Sequence, residues 1–288
     1  MRARVRIFVS EKAVKRPREG EKDMEKNIDV TALGELLIDF TNNGVSAQGN
    51  PLFEANPGGA PCNVLSLLTK LGHPTAFIGK VGKDSFGDIL QEAIEEIGIS
   101  AEGLARDAEI PTTLAFVHTL ADGDRAFSFY RKPGADMRLS KEDVRFDLIE
   151  RAKIFHFGTL SMTHEPCREA TKAAIDAAKR AGALLSFDPN LRESLWDGLS
   201  QAKEQIAYGL GVCDILKISD NEILWFTGKE SIDEATDALL AAYPIPLVLV
   251  SLGKEGSIAC QGGRRVKAAA YPQNAIETTG AGDTFCGS

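Results

Sequence analysis

From residue 28 onward, short runs of β-forming residues alternate with amphipathic runs at helical spacing, and this alternation constrains the fold more than any other feature. Strands are expected at 28–33, 75–79, 154–157, 184–187, 215–218 and 247–252. Helices are expected at 64–71, 84–97, 141–152, 167–180, 201–211, 219–228 and 233–243, with Gly72, Gly98 and Gly228 as stop signals. Repeated strand-helix steps imply an α/β fold, a doubly wound and mainly parallel sheet with helices on both faces. The rhythm breaks once. Runs 112–120 and 125–131 are rich in β-formers and flank Ala121-Asp122-Gly123-Asp124, so they read as a β-hairpin inserted into the alternating chain. Two short β runs, 257–260 and 266–271, precede the final stretch.

A chain of 288 residues with 43% hydrophobic content can bury a substantial core, as one large α/β domain or two smaller ones. Its net charge of -8 argues against nucleic acid or an anionic membrane as the main partner. The longest apolar runs fall far short of a membrane span, so the cytoplasm is the expected compartment. Cys62, Cys167, Cys213, Cys260 and Cys286 are odd in number and form no C-x-x-C pair, which suits small reduced core residues. Residues 1–26 are rich in Arg, Lys and Glu without a sustained apolar period. They read as a disordered extension, or as a mis-assigned start with Met24 the natural one.

The stretch Thr278-Thr279-Gly280-Ala281-Gly282-Asp283-Thr284-Phe285 reads as a glycine-rich turn opening a helix. Such a turn aims unpaired amides outward at the positive end of a helix dipole and welcomes an anion. A carboxylate beside that anion makes electrostatic sense if it faces a hydroxyl that attacks the anion, which points to phosphoryl transfer. Glycine and Asp are also ordinary helix-start residues. A second glycine pair, in Pro57-Gly58-Gly59-Ala60-Pro61-Cys62-Asn63, lets a ligand approach the backbone and places the Asn63 amide nearby, or is a plain turn and cap. Asp39 closes the apolar run 36–38, as a strand-end turn residue or a ligand group. Arg192, in Asp188-Pro189-Asn190-Leu191-Arg192, has the planar fork that matches phosphate, although Asp-Pro-Asn is also turn chemistry. Arg131, in Tyr130-Arg131-Lys132, meets an anionic or polyhydroxy ligand or stays a solvated charge. Ser219-Asp220-Asn221-Glu222 is a helix cap, or Glu222 holds magnesium through water. These segments fall at strand ends, so Asp39, Gly58, Gly59, Asp188, Glu222, Gly253 and Asp283 are expected to converge on one crevice. The chain has no G-x-x-x-x-G-K-[ST], and Phe285 stands where a dinucleotide fingerprint wants glycine or alanine, which disfavours an NAD-dependent dehydrogenase.

From about residue 28 to its end the chain resembles the ribokinase and fructokinase family of sugar kinases, and fructokinases most. The resemblance rests on Gly34-Glu35-Leu36-Leu37-Ile38-Asp39-Phe40, the glycine pair with Asn63, Phe129-Tyr130-Arg131 with Ala135-Asp136-Met137, Asp188 to Arg192, and Thr279-Gly280-Ala281-Gly282-Asp283. It implies a ribokinase-like domain over 27–288 with a small β lid formed near 39–56 and 111–131. It also implies ATP-dependent transfer of the γ-phosphate to a sugar hydroxymethyl group, D-fructose to fructose 6-phosphate first, with Mg²⁺ and often a monovalent cation such as K⁺. By position, Asp39, Gly58, Gly59 and Asn63 resemble the sugar-binding set, to which Arg131 and Arg192 are added on their chemistry. Asp283 resembles the catalytic base, and the amides of Gly280, Ala281 and Gly282 the anion hole. Ser251, Gly253 and Gly256 resemble the nucleotide loop, with Lys217 a phosphate neighbour. Glu222 falls on the Glu of an Asn-x-x-Glu motif whose Asn is replaced here by Ser219. The family continues beyond the point where this chain stops, at Ser288, with residues that wall the adenine pocket, so weak or absent activity is expected of these 288 residues. Competing readings are a kinase for ribose, 2-keto-3-deoxygluconate or an aminoimidazole riboside, and a non-catalytic sugar-binding protein. The exposed edges of the inserted hairpin suggest a homodimer through the lid.

Overall fold

The structure, a computed structural model, describes residues 25–119, 125–271 and 280–288. Most of the expected N-terminal extension, the hairpin turn at 121–124 and Thr278-Thr279 lie outside these residues.

Strand β1 (Ile28–Leu33) is followed by β2 (Leu37–Val45) and β3 (Pro51–Gly58), then α1 (Ala60–Lys70), β4 (Thr75–Gly82), α2 (Ser85–Ile97) and β5 (Ser100–Asp107). The hairpin β6 (Leu114–Thr119) and β7 (Arg125–Tyr130) comes next. Alternation resumes with α3 (Phe146–Glu150), β8 (Ala152–Gly158), α4 (Cys167–Arg180), β9 (Leu184–Asp188), α5 (Leu199–Leu210) and β10 (Ile215–Ser219). It continues through α6 (Asp220–Thr227), α7 (Ile232–Ala242) and β11 (Leu247–Ser251), and the chain closes with β12 (Ser257–Gln261), β13 (Arg264–Ala268) and α8 (Ala281–Cys286).

Among the described residues the main sheet has nine strands in the order β13-β12-β11-β10-β9-β8-β1-β4-β5. Its strands from β5 to β11 in that order are parallel, and β12 and β13 add antiparallel pairs. Strand β1 lies between β4 and β8, so the strand order reverses there and a crevice opens beyond the carboxyl ends. Side chains alternate across the sheet. Val30, Ala32, Phe77 and Val81 pack with Leu65, Leu90 and Ile94 of α1 and α2. Leu33, Ile78, Phe155, Phe157 and Phe187 face Leu148, Ala170 and Ala174 of α3 and α4. The three phenylalanines stack across β8 and β9 with centroids 6.2 and 4.9 Å apart, which the small alanine face of α4 accommodates.

The second sheet, in the order β3-β2-β6-β7, joins the two hairpins through a parallel β2–β6 pair. Phe40 stacks on Phe116 at 4.9 Å and meets Phe86 of α2 edge-on at 5.7 Å, fastening this sheet's outer face to the main body. Its other face, with Leu37, Asp39 and Phe129, lies over the crevice.

Two expectations are corrected, and one strand is added. The helix expected at 141–152 is a 3-10 turn, Lys141–Asp143, followed by extended Val144 and the short α3. Asp143 accepts bonds from Ser140 N and Oγ and from Lys80 Nζ, which closes the turn, while Ala152 is drawn into β8 beside Ile28. Asp39 does not end a strand: the chain turns at Gly34, whose amide donates to Ile78 O, and Asp39 is the third residue of β2. The half-exposed β5 has too little apolar alternation to be read from sequence, and pairing with β4 makes it a strand. Among the described residues no helix is long and apolar enough to cross a membrane.

Candidate active site

Gly280, at φ 72°, starts α8 and puts Asp283, a residue 8% exposed, in its first turn. Both of its oxygens are engaged by amides from distant segments. Asn63 Nδ2, on α1, donates to Oδ2 at 2.8 Å, and Asn190 Nδ2, just past β9, donates to Oδ1 at 2.9 Å. These residues line one pocket together with Glu35, Asp39, Gly59, Arg192 and Gly280, under Leu37 and Phe129 of the small sheet. Of the residues singled out in the sequence, Asp39, Gly59, Asn63, Arg192, Gly280 and Asp283 are therefore brought together. Gly58 adjoins them: a β-carbon there would overlap Oδ2 of Asp39. Gly59 adopts φ 128°, and a β-carbon there would overlap the carbonyl oxygen of Glu35, so the glycine pair lets the backbone pass close beneath the acids.

Arg131 is placed differently from the expectation of a ligand contact. It is 2% exposed, and its guanidinium is spent on the protein: Nε donates to Asp136 Oδ2 at 2.7 Å, Nη1 to Thr163 Oγ1 at 3.0 Å and Nη2 to Leu160 O at 2.8 Å. Thr113 Oγ1 completes the cluster by donating to Asp136 Oδ1 at 2.5 Å. Burial works against the Arg131 charge, but Asp136 outweighs it and holds the guanidinium's pKa above its ordinary value. Arg131 thus ties the end of β7 to Leu160 in the pocket wall.

Sequence reasoning passed over two side chains that line the pocket. Asn190 lies in Asp188-Pro189-Asn190, where its residue type signals only a turn. Glu35 lies in the turn after β1 and is 4% exposed, with Oε1 accepting the Ala60 amide at 2.9 Å. Burial pushes Glu35 up to about 7, with the Ala60 amide and the Arg131 charge opposing.

A second group lies at the ends of β9, β10 and β11. Lys217, in β10 and 5% exposed, pairs with Asp188 at 2.9 Å, and a β-carbon on Gly282 would come within 3.0 Å of its Nζ. Burial disfavours the Lys217 charge, but the Asp188 and Glu222 carboxylates prevail and raise its pKa. Burial, reinforced by the Glu222 and Asp283 charges, pushes Asp188 up to about 7 against the pull of Lys217. Its Oδ1 is buried and has no partner among the described residues. Ser219 caps α6 in a reciprocal box with Glu222, whose Oε2 accepts from Ser219 N at 2.9 Å and whose Oε1 accepts the Leu191 amide at 2.7 Å. Ser251 is the register partner of Ser219 on β11, and the turn from Gly253 to Gly256 follows it. Lys217, Ser219, Glu222, Ser251, Gly253 and Gly256 thus share one edge of the sheet. The first-turn amides of α8, which have no intrahelical acceptors, start beside Lys217.

A doubly wound sheet with a small second sheet over its carboxyl-end crevice, and a buried carboxylate at a glycine-led helix start, define an α/β protein built around a polar small-molecule pocket. The chain belongs to the pfkB family of carbohydrate kinases, whose model matches residues 27–288. It is 42% identical over 271 residues to the probable fructokinase-4 of Arabidopsis thaliana, covering 93% of this chain and 82% of that protein. It is 43% identical over 261 residues to fructokinase-2 of Solanum lycopersicum, covering 90% and 80%. Among solved structures, a double mutant of the Vibrio cholerae O395 fructokinase in its fructose, ADP and potassium ion bound form matches with a TM-score of 0.82 at 30% identity, covering 92% of this chain and 83% of that one. A putative ribokinase II from E. coli in complex with ATP and Mg²⁺ matches with a TM-score of 0.81 at 27% identity, covering 90% and 84%. The fold is accordingly ribokinase-like, with the small sheet as its lid.

Proposed function

We propose that the chain is a fructokinase, transferring the γ-phosphate of ATP to D-fructose to give fructose 6-phosphate. The observation that carries this reading is the position of Asp283. A carboxylate held by two amides faces a polar pocket on one side and lies one helical turn from the glycine-led start of α8 on the other. Asp39, Gly58, Gly59, Asn63 and Arg192 form the sugar side, where a carboxylate, an amide and a guanidinium match the alternating donors and acceptors of a polyol. Gly280, Ala281 and Gly282 present amides to the phosphoryl group, and Lys217, Ser219, Ser251, Gly253 and Gly256 flank the nucleotide. Asp283 takes the proton of the attacking hydroxyl. In a loose phosphoryl transition state, positioning and charge neutralisation outweigh early proton removal.

A magnesium ion fits the donor set. Glu222 and the orphaned Oδ1 of Asp188 are hard oxygen donors. Magnesium commonly keeps several waters and takes only one or two carboxylates. Bound Mg²⁺ supplies positive charge to the phosphate oxygens. A monovalent cation such as K⁺ belongs to the same reading.

The test is ADP release by this chain with ATP and a panel of D-fructose, D-ribose, 2-keto-3-deoxygluconate and an aminoimidazole riboside, with Mg²⁺, in KCl and in NaCl. The expected result is the highest kcat/KM with D-fructose, with turnover favoured by KCl. A higher kcat/KM for any other member of the panel contradicts fructose as the acceptor. Fructose binding in calorimetry without nucleotide binding contradicts the kinase.

A further inference from the structure

Asn190 touches both the pocket and Asp283, and its backbone is the one non-glycine position with positive φ among the described residues, at 46°. An L-residue in this left-handed region is held at a cost, and Asn tolerates it better than most. The flanking residues show what holds it. The carbonyl of Pro189 accepts from Thr159 Oγ1 at 2.6 Å and from Thr159 N at 3.3 Å, and the amide of Leu191 donates to Glu222 Oε1 at 2.7 Å. The turn is thus fixed on the β8 side by Thr159 and on the α6 side by Glu222. Its side-chain amide, 9% exposed at the residue level, reaches Asp283 Oδ1 at 2.9 Å.

The first turn of α8 sets the backbone of Asp283 but leaves its carboxylate to be oriented by other contacts. Two torsions must be set: rotation of the side chain away from the helix and rotation of the carboxylate about its own axis. The Asn63 amide on Oδ2 restrains one oxygen only. A second donor on Oδ1, from a turn braced on both sides, fixes the plane and leaves the remaining lone pairs of both oxygens directed by the protein.

We infer that Asn190 is a positioning residue for Asp283: its left-handed turn aims one amide at Oδ1 and sets the plane of the carboxylate that meets the substrate hydroxyl. This rests on the fructokinase reading above. Glu222, by holding Leu191, then links the nucleotide side of the sheet to the alignment of the acid.

The experiment compares the wild-type chain with N190G and N190D. Glycine accepts the same φ, so N190G keeps the turn and removes only the amide. N190D nearly keeps the shape and sets an acceptor against an acceptor. In steady-state assays with ATP and D-fructose, kcat of N190G is expected to fall about tenfold to a hundredfold while the fructose KM stays within about threefold. N190D is expected to fall further. A raised KM with unchanged kcat makes Asn190 a sugar ligand and overturns the inference. So does a lowered unfolding midpoint with unchanged kcat per folded enzyme, which is the signature of a merely structural role. Should the wild type phosphorylate no sugar and bind no fructose in calorimetry, the fructokinase reading fails. Crystal structures of wild type and N190G then decide the positioning role: a carboxylate turned out of its wild-type plane in N190G supports it, and an unmoved one overturns it.

Discussion

At the scale of single residues, the pocket and the strand ends beside it gather carboxylates that water cannot fully solvate, and each is handled differently. Asp283 receives two amides, Asp188 a lysine, and Glu35 one backbone amide. Glu35 is the least compensated, and burial raises it from 4.5 to about 7. A raised carboxyl binds its proton more tightly in the folded chain, so the stability it contributes is complete below pH 4.5 and is lost as the pH climbs through 7. The full difference is about 3 kcal/mol. Glu35→Gln removes this titration. Chemical unfolding of both chains between pH 4 and 8 should show the wild type losing stability relative to the variant, and parallel profiles would contradict a buried Glu35 with a raised pKa. Asn190 and Glu35 were not legible as site residues in the sequence because their contacts are long-range. Asn190 meets a partner 93 residues away and Glu35 one 25 residues away, and no local spacing encodes either. Asp283 and Gly58-Gly59 were legible because helix starts and close backbone approaches leave a local signature.

At the scale of elements, chemistry carried by neighbours in sequence was read well and chemistry carried by packing was not. α4 spans the expected 167–180, and α2 ends at Gly98 in the left-handed conformation its glycine announces. The helix expected at 141–152 failed because Lys80, 63 residues away, claims Asp143 and β8 claims Ala152. Arg131 is the same lesson in a charged side chain. A basic residue at a hairpin's end suggests solvent or ligand, yet here it fastens the lid's last strand to Asp136, Thr163 and Leu160. Replacing it by the similarly long Met leaves Asp136 buried and unpaired. Arg131→Met should lower unfolding free energy by about 3–5 kcal/mol, measured by denaturant titration. A loss within the range of an exposed ion pair, below about 1 kcal/mol, would show that the pair does not anchor the lid.

At the scale of the whole molecule, the reversal of strand order at β1 explains why residues from six separated segments meet. The turn after β1, the glycine pair before α1, the lid, and the turns after β8 and β9 all open on one edge, and α8 covers it. The alternation in the sequence implied that edge, and the motifs at strand ends implied that it carries the chemistry. The division along it, with the proposed sugar-binding groups under the lid and Lys217, Ser219 and Ser251 on the strands beyond, follows from the family resemblance and not from the alternation. The account turns on Asp283 as the group that accepts the hydroxyl proton between these two halves. The most direct test is Asp283→Asn, with kcat measured by coupled ADP release and fructose binding measured by calorimetry. The account predicts a fall in kcat of about a hundredfold or more relative to wild type with fructose affinity within about threefold. An unchanged kcat with only a raised KM would make Asp283 a ligand and contradict its role as the base.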